Sequence, residues 1–100
     1  MSEGNGRRTV RVRIEGRVQG VGFRHFTYCA AVELGIAGFV RNRHDGAVEA
    51  LFCGAPDAVA AILERCRRGP AGARVARVAI IGEGDDAPAG FVVLSTNGDG

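Results

Sequence analysis

The chain has 100 residues, 46% of them hydrophobic and 24% charged, enough for one domain around a single modest core. Its formal net charge of +2 is mild and argues against a nucleic-acid binder. All 13 Lys+Arg positions are arginine, which excludes Schiff-base lysine chemistry and a lysine-bearing Walker loop and leaves anion binding to arginine and backbone.

Residues 1–7 read as a flexible tail. The polar start lacks the apolar core of a signal peptide and no long apolar run follows, so the expectation is a cytoplasmic protein without a membrane segment. Residues 8–15 alternate, with Val10, Val12 and Ile14 on one face and Arg11, Arg13 and Glu15 on the other, as a half-buried strand does. A glycine-rich stretch follows, Gly16-Arg17-Val18-Gln19-Gly20-Val21-Gly22-Phe23-Arg24. Phe23, Phe26, Ala30 and Leu34 then fall at helical spacing, with Gly35 placed as a C-terminal cap.

Residues 36–42 form a second predicted strand, His44-Asp45-Gly46 a hairpin turn, and residues 47–53 the return strand. Pro56 suits the first turn of a second helix, whose apolar stripe is Val59, Ile62, Leu63 and Cys66 and whose end is Gly69-Pro70. Residues 75–81 read as a fourth strand, 82–90 as an acidic loop, and 91–94 as a short last strand. Residues 96–100 read as a second tail. The order predicts an α+β domain over 8–95: a two-layer ferredoxin-like sandwich, β-α-β-β-α-β with a short extra C-terminal strand. Its antiparallel sheet would carry both helices on one face.

Cys29, Cys53 and Cys66 are odd in number, widely spaced and set among apolar neighbours. They read as buried small hydrophobes, and no spacing of Cys and His suits a metal. The sequence shows no obvious carboxylate pattern that would mark His25 or His44 as a general base.

The glycine stretch has two readings. One is a tight strand-to-helix turn whose glycines supply positive φ. The other is an anion cradle, because a helix start presents backbone N–H groups and partial positive charge. Its spacing is not that of a dinucleotide loop. Arg24, at the first turn of a helix, stands against the dipole, and an anion between the two would reverse that cost. Asn42 ends a strand before a turn, a position that also suits plain turn chemistry. In the predicted sandwich it can approach the glycine loop and hold a water in line with a bound phosphate. Arg17, Arg41 and Arg43 either raise the local positive potential or are solvated surface charges.

The glycine stretch, together with Gly38-Phe39-Val40-Arg41-Asn42-Arg43-His44-Asp45-Gly46-Ala47-Val48-Glu49, resembles the acylphosphatase family, and the likeness extends from about Val10 to Leu94. The family patterns are G-x-V-Q-G-V-x-F-R and G-[WYF]-V-x-N-x-x-D-G-x-V-E. Phe39 stands where tryptophan is frequent, and many relatives end in a basic or tyrosine residue where this chain has a glycine-rich tail.

The resemblance implies the same sandwich fold and hydrolysis of acyl phosphates to carboxylate and phosphate. It also implies a phosphoryl group held by Arg24 and the backbone amides of residues 16–23, with attacking water held by Asn42. No metal, cofactor or covalent intermediate is implied. The expected partners are a small-molecule acyl phosphate and its phosphate product, with neither nucleic acid nor membrane, and dispersed charge suggests a monomer.

A related possibility is the acylphosphatase-like N-terminal domain of a carbamoyl-transfer maturation protein for hydrogenases. The polar ends and the lack of zinc-finger cysteines favour the free-standing enzyme. A ferredoxin-like RNA-binding module would need aromatic side chains on the open faces of its central strands. The first strand offers Arg11 and Arg13 instead, and Phe52 alternates as a core residue.

Overall fold

The alternation at Val10, Val12 and Ile14 has the consequence it predicts. All three side chains are fully buried in strand β1 (Arg8–Arg17). A computed structural model describes residues 6–84 and 86–96; the outer parts of the two predicted tails, 1–5 and 97–100, lie outside the described residues.

After β1 come α1 (Phe23–Leu34), β2 (Ala37–Asn42), β3 (Val48–Gly54), α2 (Pro56–Arg68), β4 (Arg74–Glu83) and β5 (Phe91–Val93). The sheet order is β4-β1-β3-β2-β5. Both helices pack on the sheet and on each other, α1 over β2, β3 and β5, and α2 over β4, β1 and β3. The predicted α+β sandwich is therefore present. Its central strand β3 is buried along its whole length, by helices on one face and by neighbouring side chains on the other.

One expectation needs correction. The sheet is mixed rather than wholly antiparallel, because β5 lies parallel to β2, with Gly38 opposite Phe91 and Val40 opposite Val93. The reason is directional. β4 runs antiparallel to β1, and the chain reverses once after it, so β5 takes the direction of β1 and β2. On reaching the far edge it can only pair with β2 in parallel. Phe91 turns inward there and stacks on Phe52, ring centroids 6.1 Å apart. Strands β1 and β4 also run beyond the predicted ends, and irregularities in their register fall between Arg11 and Val12 and between Glu15 and Gly16.

The helix signals act as read. Pro56 opens α2, Asp57 lies in its first turn, and Arg65, Arg67 and Arg68 in its last turn complement the dipole. Val59, Ile62, Leu63 and Cys66 are buried. Burial pushes the Cys66 thiol up to about 12. Gly35 caps α1 in the left-handed conformation, donating its N–H to Val32.

Cys29 departs from expectation: it is exposed, beside Val32 on the solvent side of α1. The buried face of that helix is Phe23, Thr27, Ala30 and Ala31. The apolar residues on both sides of Cys29 in sequence do not share its helical face.

The open face of the sheet carries charge in an ordered form. Glu49, on β3, accepts from Arg11 Nη1 at 2.6 Å, Arg41 Nε at 2.9 Å and Arg43 Nη1 at 3.0 Å. Arg11 and Arg41 also flank the Phe39 ring, each 5.5 Å from its centroid. Arg41 and Arg43, which flank Asn42 in sequence, are thus tied down on the face away from the helices.

Candidate active site

The turn between β1 and α1 is built by its glycines. Gly20 and Gly22 adopt φ +75° and +79°, the left-handed region that a side chain rarely enters. Gly22 is the N-cap of α1 and, lacking a side chain, makes no side-chain cap. No acidic residue occupies the first turn of α1. The helix start therefore offers N–H groups and dipole charge with no anionic side chain of its own to meet them.

Arg24 rises from that first turn. Its Nη1 donates to the backbone carbonyl of Leu94, just past β5, at 3.0 Å. The residue after β5 thereby holds the guanidinium, and Leu94 N in turn donates to the Val40 carbonyl at 2.9 Å. Asn42 arrives from the end of β2. It has the same parity as buried Val40, so it turns to the helix side while Arg41 and Arg43 turn away.

An open cavity of about 520 Å³ brings these groups together. Val18, Gly20, Gly22, Phe23, Arg24, His25, Tyr28, Asn42 and Val93 line it. Of the residues expected at the site, Arg24 and Asn42 share this cavity with Val18, Gly20, Gly22 and Phe23. Gly16 and Arg17 lie in β1 opposite Val75 and Arg74, Val21 packs against the core, and Gln19 reaches toward the β2–β3 turn.

Tyr28, Val93 and the Leu94 carbonyl were not expected at the site. Tyr28 had a signal, since it stands four residues after Arg24 on the same helical face. Val93 and Leu94 had none, because only the parallel pairing of β5 with β2 brings them there. His25 lines the cavity and its Nε2 lies 3.5 Å from the Cys29 thiol. Among the described residues, no group of three or more His, Cys, Asp or Glu could hold a metal ion. Also among them, no helix is long and apolar enough to cross a membrane.

A ferredoxin-like α+β sandwich with its cavity at the first strand-to-helix turn is the class of protein that this fold and site define. A family model described as Acylphosphatase matches residues 10–93. An acylphosphatase of Nitrobacter hamburgensis is 64% identical over 62 residues, which span 62% of this chain and 63% of that relative. An acylphosphatase of Azorhizobium caulinodans is 49% identical over 89 residues, 88% of this chain and 96% of the relative. The crystal structure of acylphosphatase from Bacillus subtilis superimposes with a TM-score of 0.80 at 32% identity. It covers 87% of this chain and 98% of that one. The chain belongs to the acylphosphatase family, hydrolases of acyl phosphates.

Proposed function

We propose that this chain hydrolyses acyl phosphates by direct attack of water on the phosphoryl group, with Arg24 and the loop amides holding phosphate and Asn42 holding the water. The observation that carries the proposal is the shared cavity. Arg24, the glycine turn, the start of α1 and Asn42 all face one space, although Asn42 comes from a different strand.

The chemistry needs little more than these groups. A carboxylate is the conjugate base of an acid with pKa near about 4, so it leaves without a general acid. Phosphoryl transfer through a loose transition state depends mainly on position and charge stabilisation. Backbone N–H groups at a helix start and one guanidinium supply the charge complement. The Asn42 amide oxygen accepts a hydrogen bond from the water and so aims its lone pair at phosphorus. The water adds to phosphorus, the P–O bond to the acyl group breaks, and a phosphoryl oxygen takes the proton. Carboxylate and phosphate are the products. No step requires a metal, and three free cysteines fit a reducing, cytoplasmic setting.

The test is hydrolysis of acetyl phosphate beside a phosphate monoester, each with and without EDTA. Phosphate release from acetyl phosphate alone, unchanged by chelator, is expected. No release, or release that EDTA abolishes, would overturn the proposal.

A further inference from the structure

Gln19 sits in the phosphate loop but is not among the residues that line the cavity. Its side chain points instead at the β2–β3 turn. There Nε2 donates to the backbone carbonyls of Arg43 at 2.7 Å and Ala47 at 2.9 Å. Both partners are acceptors only, so the amide nitrogen must face them and spends both of its protons on them.

The two carbonyls stand at the ends of one closed turn. Arg43 N donates to Ala47 at 2.8 Å, and Gly46 N donates to Arg43 at 3.2 Å. Asp45 accepts from Ala47 N at 3.1 Å and from Arg13 on β1 at 2.7 Å. The turn is closed by its own hydrogen bonds, and Gln19 ties it to the loop proposed to hold phosphate. Asn42 immediately precedes this turn.

We propose that Gln19 is the positioning residue for Asn42, fixing the distance between the water-holding amide and the phosphate cradle. The proposal rests on the reading of Asn42 given above. Two groups on separate elements must agree in position for in-line attack, and a displacement near 1 Å costs roughly 100-fold in rate. A two-pronged bond from one loop to the other is the means of holding them.

The experiment compares kcat for acetyl phosphate, and the inhibition constant of inorganic phosphate, across variants of the full chain. Gln19→Ala should lower kcat about tenfold or more while the inhibition constant moves less than about threefold, because the cradle and Arg24 remain. In an Asn42→Ala background the same substitution should cost less than about twofold, since it acts through Asn42. Gln19→Glu keeps the size but cannot donate to either carbonyl when ionised. Its kcat relative to the unmodified chain should be low at pH 7 and recover as pH nears about 4.3, where a protonated carboxyl regains one donor.

A Gln19→Ala chain at full rate beside a slow Asn42→Ala chain overturns this inference alone. So does an equal loss in both backgrounds, or a rise in the inhibition constant that matches the fall in kcat. An unmodified chain inert to acetyl phosphate, or a full-rate Asn42→Ala chain, overturns the underlying reading and this inference with it.

Discussion

Arg24 is the residue at which stability and function pull apart. A positive charge in the first turn of α1 opposes the helix dipole, at a cost of about 0.3–1 kcal/mol, and no acidic residue in that turn offsets it. Its bond to the Leu94 carbonyl is exposed and acts in the opposite sense. Replacement by Gln removes both the misplaced charge and a charged hydrogen bond to phosphate. The two effects have opposite signs. Urea unfolding of Arg24→Gln should show stability unchanged or raised by up to about 1 kcal/mol. Inhibition by inorganic phosphate should weaken at least about tenfold, since a charge-assisted bond contributes about 1.5–3 kcal/mol. A chain that loses stability and keeps its phosphate affinity would show that Arg24 is a structural residue.

Among the elements, β2 is placed closely against β3, and Gly38 is where it shows. Its φ is +139°, and a methyl group there would run into the backbone carbonyl of Leu51 on β3. On the other side its N–H donates to Gly90 at 2.9 Å, at the start of β5. Gly38→Ala must strain the backbone, about 1–3 kcal/mol, and force β2 away from β3, about 1–3 kcal/mol more. A loss near 3 kcal/mol or greater is expected in urea titration, and a loss below 1 kcal/mol would mean that the two strands separate easily. What the sequence makes legible at this scale is local. Alternation at Val10, Val12 and Ile14, Pro56 at a helix start and the Asp45-Gly46 turn each act through neighbours in the chain. β5 has three residues and no period to read, and its partner lies some fifty residues upstream, so its parallel pairing waits for the fold. The same limit applied to the site. Arg24 and Asn42 were legible as motif residues, whereas the Leu94 carbonyl and the reach of Gln19 depend on tertiary placement.

At the scale of the whole molecule, Glu49, Asp45 and Glu33 each join elements that no local signal connects. Glu49 links β1, β2 and the β2–β3 turn through Arg11, Arg41 and Arg43; Asp45 links that turn to β1 through Arg13; Glu33 links α1 to α2 through Arg65. Thirteen arginines among eleven acidic residues give no indication of which will pair, so sequence alone leaves them as solvated charge. Each carboxyl is held below its ordinary range. Burial pushes Glu49 up, but the hydrogen bonds and charges of Arg11 and Arg41 outweigh it. Asp45 is lowered by its bond from Arg13 and then by the Ala47 N–H, and Glu33 by Arg65. A carboxyl whose value is lower folded than unfolded binds more protons when unfolded. Its stabilisation is therefore complete above the unfolded value, near about 4, and disappears as pH falls through the folded one. Unfolding free energy should be level from pH 7 to about 5 and decline below that. Glu49→Gln should be less stable at pH 7, because three guanidinium groups lose their shared anion, and its decline in acid should be shallower than that of the unmodified chain. Asp45 and Glu33 would supply the slope that remains. Urea titrations of both chains at pH 7, 5, 4 and 3 decide the matter: parallel acid limbs would show that Glu49 carries none of the pH dependence and that the arginine cluster is not what ties β1 to β2 across the open face.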